Sequence, residues 1–178
     1  MTPEQRAAEV RLLVLDVDGV LTDGRLYFGP DGETLKTFDV RDGHGIKMLR
    51  ESGVEVAILS ARMSKIVETR AHELGIAHVI QGATDKAERF RALAQSLQIA
   101  PTQCGFMGDD WPDLAVLAKV GFAATVADAA PEVQCLAHWV TAARGGRGAV
   151  RELAEFILRA QGHFDRLLRR YAGARADA

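Results

Sequence analysis

Short, unbroken apolar runs alternate along this chain with segments whose apolar residues recur at helical spacing. Runs without polar alternation are typical of strands that are buried on both faces of a parallel sheet. Such runs occupy residues 12–15, 54–59, 104–107 and 122–125. Between them, residues such as Phe90, Leu93 and Leu97 share one helical face. The pattern predicts an α/β fold of Rossmann-like type, with three layers and a parallel sheet in the middle.

A second kind of pattern follows the first strand, in residues 25–38. Two short β-prone segments flank Gly29–Gly32, a turn sequence of Gly, Pro, Asp and Gly, which predicts a β-hairpin insertion. An insertion at this point lies over the carboxyl edge of the sheet, where a flap or a subunit contact would sit. The aromatic residues Tyr27, Phe28 and Phe38 fit either a subunit contact or packing on the domain's own surface, and the pattern leaves both open.

Carboxylates follow two of the predicted strands. Asp16 and Asp18 come at the end of the first strand, and Asp109, Asp110 and Asp113 follow the strand at 104–107. Parallel sheets bind ligands at the carboxyl ends of their strands. Acidic side chains gathered there repel one another, and a divalent cation that prefers hard oxygen ligands would neutralise them.

Other polar residues follow strand ends or open helices, and each has an ordinary structural explanation when taken alone. Ser60 could donate a hydrogen bond to a phosphate oxygen or simply form a helix-start turn, and Arg62 could bind an anion or remain solvated. Lys86 lies in the first turn of a helix, where it opposes the helix dipole and hints at an anionic partner. His44 is predicted to lie in a loop at 41–45, before a helix from Ile46 to Ser52, facing either substrate or solvent.

Composition narrows the class of protein. The chain has 178 residues, 48% hydrophobic residues and a formal net charge of −2, which predicts one soluble domain over residues 1–178 that ends in a helix and tail at about 148–178. The charge favours no nucleic-acid partner. The sequence contains no apolar run long enough to cross a membrane and no secretory signal at its start, so we expect a cytoplasmic protein without membrane insertion. Cys104 and Cys135 are expected to be buried thiols.

Together the polar residues match the requirements of phosphoryl transfer, which needs a nucleophile, a proton donor, cations over the phosphoryl oxygens and fixed geometry. The chain resembles the haloacid dehalogenase-like phosphatase superfamily over about residues 11–160. The matching motifs are Asp16-Val17-Asp18-Gly19, Ser60, Lys86 and Gly108 to Asp113. They occur in the superfamily's order, and the chain has no segment long enough for a cap domain.

The resemblance implies a role for each of these residues. Asp16 would be the nucleophile that forms an aspartyl-phosphate, and Asp18 would protonate the leaving group and then activate water. Mg²⁺ would be held by Asp16, Asp109 and the backbone carbonyl of Asp18. Ser60 and Lys86 would bind the phosphoryl group, with Asp110 and Asp113 as supporting residues that position the metal's waters and Lys86.

Within the superfamily the chain is most similar to the 3-deoxy-D-manno-octulosonate 8-phosphate (KDO 8-phosphate) phosphatases, on the DVDGVLTD, RDGHGI, Ser-Ala-Arg and GGRGAVRE segments that begin at residues 16, 41, 60 and 145. This implies a sugar acid phosphate substrate, a role in lipopolysaccharide precursor synthesis, and a homotetramer assembled through the hairpins. Arg62, Arg70 and His44 are candidates for binding the sugar.

Two alternatives remain open from the sequence. One is a phosphatase for another sugar acid phosphate, such as KDN or sialic acid 9-phosphate. The other is a signalling domain that accepts phosphate on Asp, and Asp18 argues against it because an acid two residues after the acceptor favours turnover.

Overall fold

The computed structural model describes residues 1–173, and its centre is a parallel sheet of six strands. These strands are β1 (Leu12–Leu15), β4 (Glu55–Leu59), β5 (His78–Ile80), β6 (Cys104–Met107), β7 (Phe122–Thr125) and β8 (Trp139–Val140). Their order across the sheet is β5-β4-β1-β6-β7-β8. Two further strands, β2 (Tyr27–Gly29) and β3 (Gly32–Leu35), form a separate antiparallel hairpin.

Helices cover both faces of this sheet. They are α1 (Pro3–Ala8), α2 (Val40–Glu51), α3 (Lys65–Leu74), α4 (Lys86–Ser96), α5 (Leu114–Leu117), α6 (Pro131–Leu136), α7 (Ala149–Ala160) and α8 (Phe164–Tyr171), with single 3₁₀ turns at Pro101–Gln103 and Trp111–Asp113. The predicted three-layer α/β architecture is confirmed.

The central position of β1 explains its composition. It pairs in parallel with β4 on one side and β6 on the other, and every residue from Leu12 to Leu15 is fully buried. A strand that has neighbours on both edges and helices on both faces has no contact with water, so alternation with polar residues would cost stability.

The hairpin insertion is also confirmed, because β2 and β3 lie between β1 and α2 in the chain. Its turn places Gly32 at a φ of 109°, a region that favours glycine. The side chain of Phe28 is 62% exposed, so this aromatic residue does not pack into the domain's own core.

The prediction of a loop at residues 41–45 is wrong. Helix α2 begins at Val40, after Asp39, whose side chain accepts a hydrogen bond from the backbone N–H of Arg41. The glycines that suggested a turn allow close packing: a Cβ at Gly45 would lie 3.0 Å from the Cα of Arg151 in α7. His44 therefore lies on a helix, and its ring centroid is 5.0 Å from that of Tyr171.

Smaller departures from the sequence predictions have local causes. Helix α1 was not predicted; Thr2 caps it, accepting a hydrogen bond from the backbone N–H of Gln5. Cys104 is buried as expected, whereas Cys135 is exposed on α6, because this short helix turns that position to solvent. The end of the predicted C-terminal tail, residues 174–178, lies outside the described residues.

Over residues 1–173, no helix is both long and apolar enough to cross a membrane.

Candidate active site

The sheet topology brings together polar residues that are far apart in the sequence. Asp16, Ser60 and Asp109 follow the ends of β1, β4 and β6, and β1 lies between the other two strands. The backbone N–H of Asp16 donates to the carbonyl of Met107 over 3.0 Å, which joins the first and last of these strand ends. The parallel arrangement therefore places all three side chains at one edge, as predicted.

Lys86 lies at the start of α4 and is buried in this edge. Its Nζ is 2.9 Å from Asp16 Oδ2 and 2.7 Å from Asp113 Oδ1. Burial alone would lower the pKa of Lys86, but the carboxylates of Asp16 and Asp113 outweigh it, so the pKa is raised above its usual value. Lys86 is thus a fixed positive charge beside Asp16.

Asp113 is engaged through both of its oxygens. Oδ1 accepts from Lys86, while Oδ2 accepts the backbone N–H of Asp109 over 3.0 Å and that of Asp110 over 3.4 Å. The residue is buried. These contacts fix the loop that carries Asp109, whereas the side chain of Asp110 is exposed.

Three carboxylates share one small volume. Asp16, Asp109 and Asp113 each offer an oxygen within 4.8 Å of the others. Burial and the neighbouring Asp113 raise the pKa of Asp16 to about 7. Burial and the neighbouring Asp16 raise the pKa of Asp109 to about 7. An oxygen-only donor set that holds crowded negative charge fits a hard divalent cation such as Mg²⁺.

Gly19 is required by the packing of this centre. It has a φ of 89°, and a Cβ at this position would overlap the carboxylate of Asp109. A side chain at residue 19 would therefore displace one of the three carboxylates.

Asp18 faces different partners from those of Asp16. Its Oδ1 forms an ion pair with Nζ of Lys36, and its Oδ2 is 3.7 Å from Nε of Arg62. Arg62 thus lies beside Asp18, and its guanidinium also lies 5.8 Å from the centre of the Phe28 ring.

Sequence reasoning missed Lys36 and its partner Glu33, both in the hairpin segment. Glu33 Oε1 is 3.1 Å from Lys36 Nζ, and Oε2 accepts a hydrogen bond from Ser64 Oγ. The sequence placed the hairpin over this edge of the sheet, but a Lys directly after a short strand resembles an ordinary surface residue. Its spacing of three residues from Glu33 was the available signal, and it is a weak one.

The remaining predicted site residues have varied surroundings. Ser60 is buried directly after β4, and its Oγ accepts the backbone N–H of Arg62 over 3.2 Å. Arg70 contacts Glu73 at 3.2 Å and lies 5.8 Å from the ring centre of Phe38. His44 packs against Tyr171. For Arg70 and His44, substrate binding stays a prediction.

The glycine-rich segment at 145–148 supports the loop that carries Asp18. The backbone N–H of Gly146 donates to the carbonyl of Val20 over 2.9 Å. The segment is held in turn by Asp42 of α2, whose carboxylate accepts the backbone N–H of Gly148 over 3.3 Å and that of Arg151 over 2.7 Å.

The arrangement contains the parts that phosphoryl transfer to a carboxylate needs. Asp16 is a carboxylate held beside a buried ammonium, Asp18 is a second carboxylate two residues away with separate partners, and the carboxylate cluster can hold a cation. Nucleophile, proton carrier and electrostatic stabilisation are thus all available at one edge of the sheet.

Comparison with known proteins agrees with this geometry. The family model of haloacid dehalogenase-like hydrolases matches residues 72–153. The chain is 50% identical over 157 residues to a 3-deoxy-D-manno-octulosonate 8-phosphate phosphatase of Yersinia pestis, covering 88% of this chain and 84% of that protein. The corresponding protein of Escherichia coli K12 is 49% identical over 160 residues, covering 90% of this chain and 85% of that protein.

Solved structures show the same likeness. The Yersinia pestis enzyme superimposes with a TM-score of 0.89 at 49% identity, covering 91% of this chain and 88% of that chain. The Moraxella catarrhalis KDO 8-phosphate phosphatase, solved with magnesium, phosphate and KDO, superimposes with a TM-score of 0.93 at 38% identity, covering 95% and 97% of the two chains. This chain therefore belongs to the KDO 8-phosphate phosphatase family of haloacid dehalogenase-like hydrolases.

Proposed function

We propose that the protein is an Mg²⁺-dependent phosphatase that hydrolyses KDO 8-phosphate to KDO and phosphate, in lipopolysaccharide precursor synthesis. The observation that carries this proposal is the separation of two neighbouring carboxylates by their partners. Asp16 lies 2.9 Å from Lys86 within the carboxylate cluster, whereas Asp18 pairs with Lys36 on the hairpin side. Two acids with different surroundings suit two different roles.

Asp16 is the proposed nucleophile. Its carboxylate oxygen attacks phosphorus, the bond to the sugar oxygen breaks, and Asp18 gives its proton to that oxygen. Water then attacks the aspartyl-phosphate, Asp18 takes a proton from the water, and phosphate leaves with Asp16 restored. One group thus serves as acid in the first step and base in the second.

The other polar residues of the site position the phosphoryl group and the metal ion. Ser60 and Lys86 would hold the phosphoryl oxygens, and Asp16, Asp109 and the backbone carbonyl of Asp18 would hold Mg²⁺. The cation, when bound, offsets the repulsion between the attacking carboxylate and the anionic phosphate. Asp113 keeps Lys86 and the Asp109 loop in place through the contacts described above, and Asp110 acts beside it as a supporting residue.

The substrate is proposed from the relatives and from the position of the arginines. A KDO 8-phosphate phosphatase of Moraxella catarrhalis was solved with KDO and phosphate. In this chain Arg62 lies at the mouth of the site beside Asp18 and Phe28, where its planar guanidinium suits a sugar carboxylate. Arg70 and His44 are further candidates for binding the sugar.

We also propose a cytoplasmic homotetramer assembled through the hairpins.

The nucleophile is tested with Asp16→Asn. This variant removes the attacking oxygen's negative charge, so phosphate release from KDO 8-phosphate should fall to background in a colorimetric phosphate assay. Circular dichroism should show an unchanged fold, and Asp31→Asn in the exposed hairpin turn is the matched control with full activity. Turnover by Asp16→Asn at the wild-type rate would contradict the mechanism.

The substrate is tested with a panel of KDO 8-phosphate, KDN 9-phosphate, sialic acid 9-phosphate and common hexose phosphates. We expect kcat/KM to be highest for KDO 8-phosphate. Equal values across the panel would contradict the assignment and leave a phosphatase of broad specificity.

A further inference from the structure

The proposed mechanism does not use a buried lysine that lies in the hairpin segment, where several apolar side chains are exposed. The side chain of Lys36 is only 1% exposed, whereas Leu26, Phe28 and Leu35 of the same hairpin are exposed. Lysine is almost never fully buried unless it is paired with an acid. The fold therefore directs one cation of the hairpin inward while it leaves the apolar side chains outside.

The two partners of Lys36 show what that cation holds. Its ammonium contacts a carboxylate oxygen of Asp18 and lies 3.1 Å from Glu33 Oε1. Glu33 accepts a hydrogen bond from Ser64 Oγ through its other oxygen. Ser64 caps α3, and its backbone N–H donates to Gln81 Oε1 over 2.8 Å. A chain of polar contacts thus runs from Asp18 through the hairpin to the start of α3.

These contacts matter because other positive charges at the site would also attract the Asp18 carboxylate. Asp16 has its own lysine, Lys86, on the side of the carboxylate cluster. Among residues 1–173, the other cation near Asp18 is Arg62, at 3.7 Å, and the Arg62 side chain is 42% exposed. A divalent cation at the cluster would attract any free carboxylate, since the attraction between opposite charges grows steeply at short range inside a protein.

We propose that Lys36 is a positioning residue that holds the Asp18 carboxylate on the hairpin side of the site, away from the cation at Asp16 and Asp109. Glu33 and Ser64 fix Lys36 in turn. The proposal rests on the proposed function for the role of Asp18 as proton carrier. The hairpin segment thereby takes part in the chemistry of its own chain, because its lysine positions the carboxylate that carries the proton for the leaving group.

Leaving-group dependence tests the proposal. In Lys36→Met a misplaced Asp18 no longer protonates an alkoxide, so kcat for KDO 8-phosphate should fall about 10²-fold, within the range typical of general acid catalysis. The first turnover of p-nitrophenyl phosphate should stay within about threefold of wild type, because nitrophenolate leaves without a proton. Its later turnovers should be slow, because Asp18 also activates water, so a burst of nitrophenol is expected.

Three further variants sharpen this test. Lys36→Arg keeps the charge and should restore part of the lost turnover. Glu33→Gln loosens Lys36 without touching Asp18 and should show the same burst with a smaller loss, so it carries the test if Lys36→Met does not fold. Lys47→Met, on an exposed position of α2, is the matched control and should behave as wild type. Equal first-turnover losses for both substrates, or an unchanged kcat in Lys36→Met, would overturn the proposal.

A structural measurement separates this proposal from the proposed function. In crystals grown with Mg²⁺, Asp18 should face Lys36 in the wild type and should turn toward Asp16 in Lys36→Met or, failing that variant, in Glu33→Gln. An Asp18 that keeps its place in the variant would overturn the positioning role. If the wild type hydrolyses p-nitrophenyl phosphate and alkyl phosphates other than KDO 8-phosphate, but not KDO 8-phosphate itself, the substrate assignment fails while the Lys36 comparison stands on those substrates.

Discussion

At the scale of single residues, the site depends on carboxylates whose charges are costly without a cation. Asp16 and Asp109 both have their pKa raised to about 7, by burial first and then by neighbouring carboxylates. In the metal-free folded protein these groups keep protons that the unfolded chain loses near pH 4. The folded state therefore binds more protons across this window, and its stability falls as the pH rises from about 4 to about 7.

Mg²⁺ should reverse that trend, because it binds the ionised carboxylates and releases their protons. We expect the increase in Tm caused by a saturating concentration of MgCl₂ to be small near pH 5 and to grow until the pH exceeds about 7, the raised pKa of Asp16 and Asp109. Differential scanning fluorimetry with and without Mg²⁺ measures this, and NaCl of equal ionic strength is the control. An increase in Tm that does not change with pH would contradict the assignment of these carboxylates as ligands.

At the scale of elements, the packing of α2 against α7 holds the glycine-rich segment at 145–148, which contacts the loop that carries Asp18. Gly45 allows the two helices to approach closely, and Asp42 satisfies two backbone N–H groups at the start of α7. Burial raises the pKa of Asp42 to about 6, against the opposing effect of those two donors. Helix α7 has no side-chain cap of its own at Gly148, so Asp42 of α2 accepts the hydrogen bonds that a capping residue would accept.

Asp42→Ala should therefore destabilise the protein by about 1–3 kcal/mol, the usual cost of leaving buried donors without an acceptor. Urea unfolding followed by circular dichroism measures the change in the free energy of unfolding. Asp31→Ala, in the exposed hairpin turn, is the matched control and should change it by no more than about 0.5 kcal/mol. Equal unfolding midpoints for the two variants would show that α7 does not need Asp42.

At the scale of the whole molecule, the hairpin has two faces with different roles. Lys36 faces the site, whereas the side chains of Phe28, Leu35 and Tyr27 are 62%, 48% and 37% exposed. Exposed apolar residues grouped on one projecting element are typical of a protein interface. The proposed homotetramer would cover them.

Phe28→Glu tests this interface, because a charge buried in an apolar contact is strongly unfavourable. We expect light scattering to give a smaller assembly for Phe28→Glu than for the wild type. Leu136→Glu, on an exposed position of α6, should keep the wild-type mass. A wild-type protein that is monomeric, or a Phe28→Glu variant of unchanged mass, would contradict assembly through the hairpin.

Much of the fold was predictable because its determinants are local. The buried strands at 104–107 and 122–125 were predicted with their observed bounds, since unbroken apolar runs leave few alternatives. The start of α2 was not, because glycines that serve helix packing look the same in sequence as glycines that serve a turn. Which explanation applies depends on α7, more than 100 residues away in the chain.

The sequence by itself determined the chemistry available at the site: the order and spacing of Asp16, Asp18, Ser60, Lys86 and Asp109 indicate phosphoryl transfer, because the ends of parallel strands must meet at one edge. Only the tertiary structure decided how the two neighbouring aspartates differ. Lys86 reaches Asp16 from α4, and Lys36 reaches Asp18 from the hairpin. Partners contributed by separate elements depend on how those elements pack, and no local pattern around Lys36 records that contact.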